Sequence, residues 1–268
     1  MKLDLFHPFI KSIFLIFILS LLGCSNKKDI DNVNLEFEFN KLSVVRNKPL
    51  GDIDWRLISL DARFLKDKNL IRAKKTDLEI FSSNVPTYLI KSDSLTSVRD
   101  LEFVLMEGNI NLNHLVNKDL LIRGDVLRWD VIGKTLTINQ NPIVYSINSS
   151  IKAEEILFDI NSSNLTLLGK NEFLVIPEDI TTSSHNRLSL TTNNSKWNME
   201  TGDIISGSPI YGTRITEKDN IIFKADYLTG NIKTNKLDLT KCIVELADIA
   251  LTYSDNCCIN YSVSDQDI

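Results

Sequence analysis

Hydrophobic and polar residues alternate one by one along most of the chain that follows residue 34. Leu35, Phe37 and Phe39, for example, are separated by Glu36 and Glu38. Alternation with a period of two is typical of strands that bury one face. The runs are short, rich in Ile, Val, Thr and aromatic residues, and they end at clusters of Asn, Asp, Gly and Ser. The pattern therefore predicts an all-β fold, a β-jellyroll or open sandwich of antiparallel strands.

The apolar positions of the most regular runs are predicted to form one inward face. These positions are Leu120, Ile122, Val126, Leu136, Ile138, Leu165, Leu167, Ile221, Phe223 and Tyr227. If the strands place them on the same side, they line a continuous apolar trough. Burial of apolar surface contributes about 25 cal/mol per Å², so such a trough can hold acyl chains while sugars and phosphates stay in water. A strand array of this kind can close into a packed core or splay open at one edge and leave the trough; in the second case these ten residues are predicted to be lipid-binding.

A faint internal repeat accompanies the alternation. Arg128-Trp129-Asp130 and Lys196-Trp197-Asn198 are each followed, at nearly the same distance, by a proline, Pro142 in one copy and Pro209 in the other. The repeat predicts a chain that zigzags through two similar groups of strands. The two tryptophans are interpreted as core residues at strand ends rather than as platforms that stack a ligand.

The chain begins with an apolar run that is too short to span a membrane. A span needs about 20 apolar residues, whereas a run of about 7–15 behind a basic start is typical of an export signal. Leu21-Leu22-Gly23-Cys24 resembles the lipobox of bacterial lipoproteins, in which the cysteine receives lipid and becomes the new N-terminus. We therefore expect residues 1–23 to be a signal peptide and Cys24 to be the lipid anchor. A short uncleaved anchor is the alternative.

Behind this leader, the sequence predicts two further segments. Residues 24–45 comprise the lipidated cysteine and a polar tether, and residues 46–262 form one elongated domain. With 43% hydrophobic and 24% charged residues, the chain has the composition of a globular protein. Its net charge is −5 and it has no basic run, so the sequence does not predict a positively charged surface that would bind nucleic acid.

The sequence contains none of the motifs that would indicate catalysis. We find no Gly-x-Ser-x-Gly elbow, no His-Glu-x-x-His helix and no glycine-rich phosphate loop. Asp125 and Asp130 flank a predicted strand and are interpreted as solvated turn residues rather than paired acids. We therefore predict that the protein is not an enzyme and that it has no cofactor and no metal.

The cysteines other than Cys24 lie near the C-terminus. A disulfide from Cys242 to Cys257 or to Cys258 would tie down the last strand and leave one thiol over. Three free thiols are the alternative. A structural zinc site is disfavoured because it needs four nitrogen or sulfur ligands, and no histidine is near these cysteines in sequence.

One stretch resembles a known family. Leu121-Ile122-Arg123-Gly124-Asp125-Val126-Leu127-Arg128-Trp129-Asp130, followed by Lys134-Thr135-Leu136-Thr137, is similar to the hairpins of the LptC and LptA/OstA-like group. These are periplasmic proteins of the lipopolysaccharide export system. Within the group, an N-terminal anchor on a chain this long is most similar to LptC, the partner of the export ABC transporter. The chain departs from well-known members because its anchor resembles a lipobox and because it is longer.

The resemblance implies a function and its partners. The protein would be periplasmic and anchored to a membrane through Cys24, with the inner membrane favoured over the outer. It would bind the acyl chains of lipopolysaccharide or a similar glycolipid. Its protein partners would be the export ABC transporter and a homologous periplasmic β-jellyroll protein. The alternative function is an envelope lipoprotein that acts as a structural scaffold or glycan-binding module, with a closed and dry core.

Overall fold

The structure is a computed structural model, and the residues it describes begin at Glu36. They are residues 36–98, 101–116, 120–146, 149–175, 187–207, 209–215, 220–234, 236–246 and 249–260. The predicted signal peptide, Cys24 and the first part of the predicted tether lie outside the described residues, as does the side chain of Cys258. All of the described residues belong to one unit, Glu36–Ile268.

Apart from one short 3-10 helix at Lys66–Lys68, the regular structure of the described residues is entirely β. The strands are β1 (Glu36–Phe39), β2 (Leu42–Asn47), β3 (Ile53–Leu65), β4 (Leu70–Ser82), β5 (Val85–Val98), β6 (Phe103–His114), β7 (Leu121–Asp130), β8 (Thr135–Asn139), β9 (Ile143–Ser146), β10 (Ser149–Lys152), β11 (Glu155–Asp159), β12 (Asn164–Val175), β13 (Arg187–Asn198), β14 (Asp203–Ser206), β15 (Ile210–Ile215), β16 (Asn220–Ala225), β17 (Tyr227–Asn231), β18 (Lys236–Leu246) and β19 (Ile249–Asn260). The all-β prediction is confirmed.

The strands pair antiparallel in one continuous ladder. From β3 to β7, each strand pairs with the next one along the chain. Beyond β7, a pair of short strands repeatedly takes the place of one long strand, as β8 and β9 do beside β7. Within the described residues, the ladder has an edge at each end: β1 and β2 pair only with β3, and β19 pairs only with β18.

The ladder starts before the predicted domain boundary at residue 46. β1 and residues 42–45 of β2 lie in the segment predicted to be tether. The alternating residues of β1 explain the difference, because the Phe37 ring stacks on Phe64 of β3 at 6.4 Å. Arg63 of β3 also forms ion pairs with Glu36 at 3.4 Å and Glu38 at 3.2 Å. The alternation at residues 35–39 predicted this strand, whereas the boundary drawn at residue 46 left it in the tether.

Each long strand bends near its middle, so the ladder folds into two facing layers. Layer A comprises β2, β9, β10, β15, β16 and the halves of the long strands that pair with them. Layer B comprises β1, β8, β11, β14, β17 and the remaining halves of the long strands. The layers are in contact, since Trp55 of layer A meets Trp129 of layer B with 5.8 Å between ring centroids. We call the line of bends the corner, and the opposite side, where the strands end, the mouth.

Unusual backbone conformations mark the corner. Lys75, Asn109, Asn194 and Lys241 have φ values of 50°, 48°, 54° and 51°, in the left-handed region. Such residues shift the phase of the alternation by one position and bend the strand. The corner also buries small polar side chains. Ser59, for example, donates from Oγ to the carbonyl oxygen of Lys74 at 2.7 Å, which satisfies a backbone group that the bend leaves outside the ladder.

Further side-chain pairs support the corner from within. The hydroxyls of Thr76 and Ser92 share a hydrogen bond of 2.6 Å, and those of Thr192 and Ser206 share one of 2.5 Å. A buried hydroxyl is expensive unless it is hydrogen-bonded, so these pairs make the polar corner compatible with the apolar core beside it.

A disulfide lies at the last corner of the ladder. Cys242 of β18 is bonded to Cys257 of β19, and their Cα atoms are 6.2 Å apart. Of the two disulfides that the sequence analysis left open, the structure contains the one that involves Cys257. This bond ties the edge strand to its only partner among the described residues.

Candidate functional site

The interior between the layers is built from rows of inward side chains that cross the ladder from strand to strand. In layer A, one row occupies paired positions on twelve strands. Its members are Leu57, Leu78, Ile90, Leu112, Ile122, Val144, Ile151, Phe173, Leu190, Gly212, Phe223 and Val244. Gly212 is required in this row because a Cβ atom there would collide with the Phe223 ring and with Leu190.

Layer B contributes two rows. The corner row consists of Met106, Leu127, Ile138, Ile156, Leu167, Ser195, Ser206, Leu228, Leu239 and Cys257. The middle row, one step nearer the mouth, consists of Val104, Trp129, Leu136, Phe158, Leu165, Trp197, Ile204, Gly230 and Leu237. Nearly all apolar members of the three rows belong to one contiguous cluster of buried residues.

Most of the predicted lipid-binding residues lie in this cluster. Those that are buried are Leu120, Ile122, Leu136, Ile138, Leu165, Leu167 and Phe223, with exposures of 0–3%. Ile221 is half-buried beside them. The alternation predicted that these positions share one side, and the fold brings them into one interior. Their role in binding lipid remains a prediction.

Two of the predicted positions face outward instead. Val126 is half-buried and lies next to inward Leu127, and Tyr227 is 39% exposed and lies next to inward Leu228. Both lie just past the corner, where the phase of the alternation changes. In β7 the change occurs at Asp125, whose N–H donates to the carbonyl oxygen of Gln140 at 3.0 Å. The assignment of Val126 and Tyr227 to the inward face was therefore wrong.

An ion pair connects the two layers at the mouth. Lys134, in the turn between β7 and β8, donates from Nζ to both carboxylate oxygens of Asp54 at 2.7 and 2.6 Å. Asp54 lies at the start of β3 in layer A. The two side chains are only 11% and 24% exposed, for Asp54 and Lys134 respectively. The pair therefore joins the free ends of the two layers and is largely shielded from solvent.

A second polar contact joins the layers farther along the mouth. The hydroxyl of Tyr88 in β5 shares a hydrogen bond of 3.3 Å with Ser163, and Ser163 donates to a carboxylate oxygen of Glu200 at 3.0 Å. Lys233 Nζ donates to the backbone oxygen of Glu200. Burial raises the pKa of Tyr88, so this hydroxyl stays protonated. Burial also lowers the pKa of neighbouring His114, whose ring meets Tyr88 edge to face at 4.8 Å.

Two cavities differ in position and lining. The smaller, of about 220 Å³, lies at the mouth, where Asp54, Lys134 and Glu200 surround apolar walls that include Ile80. The larger, of about 500 Å³, lies on the outer side of β13, β15, β16 and β18, with Tyr211 among its lining residues.

In the described part of the chain, no group of three or more His, Cys, Asp or Glu side chains could hold a metal ion. No helix of the described residues is long and apolar enough to cross a membrane.

The acidic residues considered as paired acids cap turns. Asp130 accepts a hydrogen bond from the N–H of Gly133 at 2.8 Å, and Asp125 accepts one from the side-chain amide of Asn141 at 3.1 Å.

The polar residues at the mouth, in contrast, were not predicted from the sequence. No local signal marks them, because the turn that holds Lys134 and the strand that holds Asp54 are far apart in sequence.

The geometry defines a class of protein: an antiparallel β-ladder folded into two layers around one apolar interior, with a polar mouth. No protein-family model matches the chain, and no curated protein matches it. Among solved structures, it is similar to LptH from Pseudomonas aeruginosa, described as the LptA homologous periplasmic component of the conserved lipopolysaccharide transport device. The similarity covers 42% of this chain and 75% of that chain, with 9% sequence identity and a TM-score of 0.34.

Proposed function

We propose that this domain binds the acyl chains of lipopolysaccharide or a similar glycolipid between its two layers and passes them to a homologous periplasmic β-jellyroll protein. The observation that supports the proposal is the continuity of the layer A row. The row runs from Leu57 to Val244. Apart from Gly212, its members are Ile, Leu, Val and Phe, so an acyl chain that lies along it meets no polar side chain. Each Å² of acyl surface buried there contributes about 25 cal/mol.

The edges of the ladder support the transfer step. β1, β2 and β19 each lack a neighbour on one side within the described residues. An edge strand exposes unpaired N–H and C=O groups and can pair with a strand of another protein. A partner that extends the ladder in this way would also extend the interior rows, so lipid could move from one protein to the next by sliding. Lipid on Cys24 would keep the domain at the membrane, close to an export ABC transporter.

A second candidate is the envelope scaffold or glycan-binding module. The observation that favours it is the closed interior: Ile122, Ile138 and Leu167 are each 0% exposed. Neither of the cavities described above runs along the rows: the larger reaches the layer A row only at Gly212 and Phe223, and the smaller lies at the mouth. In this alternative the interior serves only for stability, and partners or glycans bind outside.

Photo-crosslinking in cells that actively export glycolipid would separate the two candidates. We would place a small diazirine amino acid at inward Ile138 or Leu167, and at their outward neighbours Thr137 or Thr166 as matched controls. The proposal predicts glycolipid adducts at the two inward positions and few at the outward ones. Equal labelling of all four positions, or no adduct while export is running, would contradict it. The absence of adducts would favour the scaffold.

A further inference from the structure

Three tryptophan side chains have buried N–H groups without a hydrogen-bond partner among the described residues. They are Trp55, Trp129 and Trp197, with exposures of 2%, 2% and 4%, and each Nε1 atom lacks an acceptor. An indole N–H can only donate. Leaving a buried donor unsatisfied is unfavourable, and native proteins contain few such groups. Three of them in one interior are three donors that are available to the acceptors of a bound molecule.

Two of the three indoles lie in one row, and the third contacts one of them. Trp129 and Trp197 are members of the middle row of layer B, separated by Leu136, Phe158 and Leu165. With neighbouring strands about 4.8 Å apart, the two indoles are roughly 19 Å apart along the row. Trp55 lies opposite Trp129, and their T-shaped contact can supply only a weak N–H to ring interaction.

The middle row lies between an apolar zone and a polar one. On one side is the corner row, which includes Leu127, Ile138 and Leu167. On the other side is the mouth, with the Asp54–Lys134 ion pair and the Ser163–Glu200 contact. A molecule that reaches from the mouth toward the corner therefore meets charged groups first, then indole donors, then hydrocarbon.

We propose that these three indole N–H groups form a subsite for the ester and amide carbonyl oxygens of acylated lipids. The inference rests on the proposed function and adds the chemical feature that the interior recognises. In an acylated lipid, a carbonyl acceptor lies between the hydrocarbon chain and the polar head group. This order matches the order of zones in the protein. Ester oxygens accept hydrogen bonds and never donate them, so they complement groups that only donate.

The expected effect is a preference for ester-linked over ether-linked lipid. An ether lipid of the same chain length and head group lacks the carbonyl and leaves the indole unsatisfied. One hydrogen bond of ordinary strength corresponds to a preference of about threefold to tenfold. Because two acyl chains present two carbonyls, the wild-type preference should lie at or above this range.

A competition experiment measures this preference directly. The full-length lipidated protein is incubated with equal amounts of dimyristoyl phosphatidylglycerol and its di-O-tetradecyl ether analogue, and the bound lipids are quantified by mass spectrometry. Trp129→Phe and Trp197→Phe should each shift the ester-to-ether ratio toward one. Phe158→Leu, in the same row between them, removes no donor, so any loss of binding should affect both lipids equally and leave the ester-to-ether ratio as in wild type.

The outcomes distinguish this inference from the proposed function. If both lipids bind and wild type shows no ester preference, the carbonyl subsite is wrong and the conduit stands. If neither lipid binds and the inward positions give no crosslinks, both are wrong. Should a Trp→Phe variant fail to fold, benzothienylalanine at position 129 or 197 keeps the ring shape and removes only the N–H. An unchanged ratio in that protein would also overturn the inference.

Discussion

Replacing Lys134 with Met tests whether the ion pair at the mouth holds the two layers together. Met keeps the length and the apolar stem of the side chain but removes the charge that faces both oxygens of Asp54. It is also unbranched at Cβ, as Lys is, so it suits the left-handed conformation of this residue, whose φ is 55°, equally well. The substitution therefore leaves the Asp54 carboxylate without its partner and changes little else.

The expected loss of stability follows from the burial of the pair. Breaking a fully buried ion pair by removing one partner costs about 3–5 kcal/mol, whereas an exposed pair is worth about 0–1 kcal/mol. Asp54 is almost buried and Lys134 retains a quarter of its exposure. We therefore expect the free energy of unfolding to fall by about 1–3 kcal/mol. For a domain of this size, that corresponds to a decrease in Tm of about 2–12 °C.

Equilibrium unfolding in urea, followed by tryptophan fluorescence, measures this change. The matched control is Lys170→Met, because Lys170 pairs with Glu172 at 2.8 Å but both side chains are more than half exposed. That control should leave the unfolding midpoint within experimental error. Combining Lys134→Met with Asp54→Asn should restore part of the loss, since no unpaired charge then remains. Equal midpoints for Lys134→Met and Lys170→Met would refute the role of the ion pair.

Two further predictions concern the corner. The disulfide closes a loop with a sequence separation of 15, so Cys257→Ser should lower the free energy of unfolding by about 2–4 kcal/mol under non-reducing conditions. Cys258→Ser should have no such effect, and equal losses would argue against the observed pairing. Lys75→Gly should raise the free energy of unfolding by about 0.5–1 kcal/mol in chemical denaturation, because glycine adopts a φ of 50° without strain. Arg72→Gly, in a regular part of the same strand, should lower the free energy of unfolding by a similar amount. A lower free energy of unfolding in both variants would contradict a bend at Lys75.

The strands were predictable from the sequence because a half-buried strand alternates apolar and polar residues along its length. The corner was not, because a bend shifts the alternation by one residue without a strong change in composition. Val126 and Tyr227 show the consequence: each continues the period of the residues before it, yet the chain has already turned. The best local signal is a polar or glycine residue in the middle of a long run, such as Asn194 or Lys241.

The mouth could not be predicted because its contacts depend on how far the two layers are displaced relative to each other. Asp54 and Lys134 are separated by 80 positions in sequence. Each lies near a turn, where a charged residue is normally solvated, so neither stands out. The displacement of the layers follows from the twist and coiling of the whole ladder, which no short stretch of sequence specifies.

The mouth also determines what entry of an acyl chain would cost. When an acyl chain slides between the layers, contacts between the two layers are replaced by contacts between each layer and the lipid. Most of the apolar surface therefore stays buried. What the protein loses is the set of polar contacts that span the mouth, chiefly Asp54–Lys134 and Tyr88–Ser163. If the interior is a conduit, Lys134→Met should therefore destabilise the empty protein and increase crosslinking of glycolipid at Ile138. If the protein is a scaffold, the same variant should lose stability without any gain of lipid, because opening the mouth then exposes a core that has no ligand.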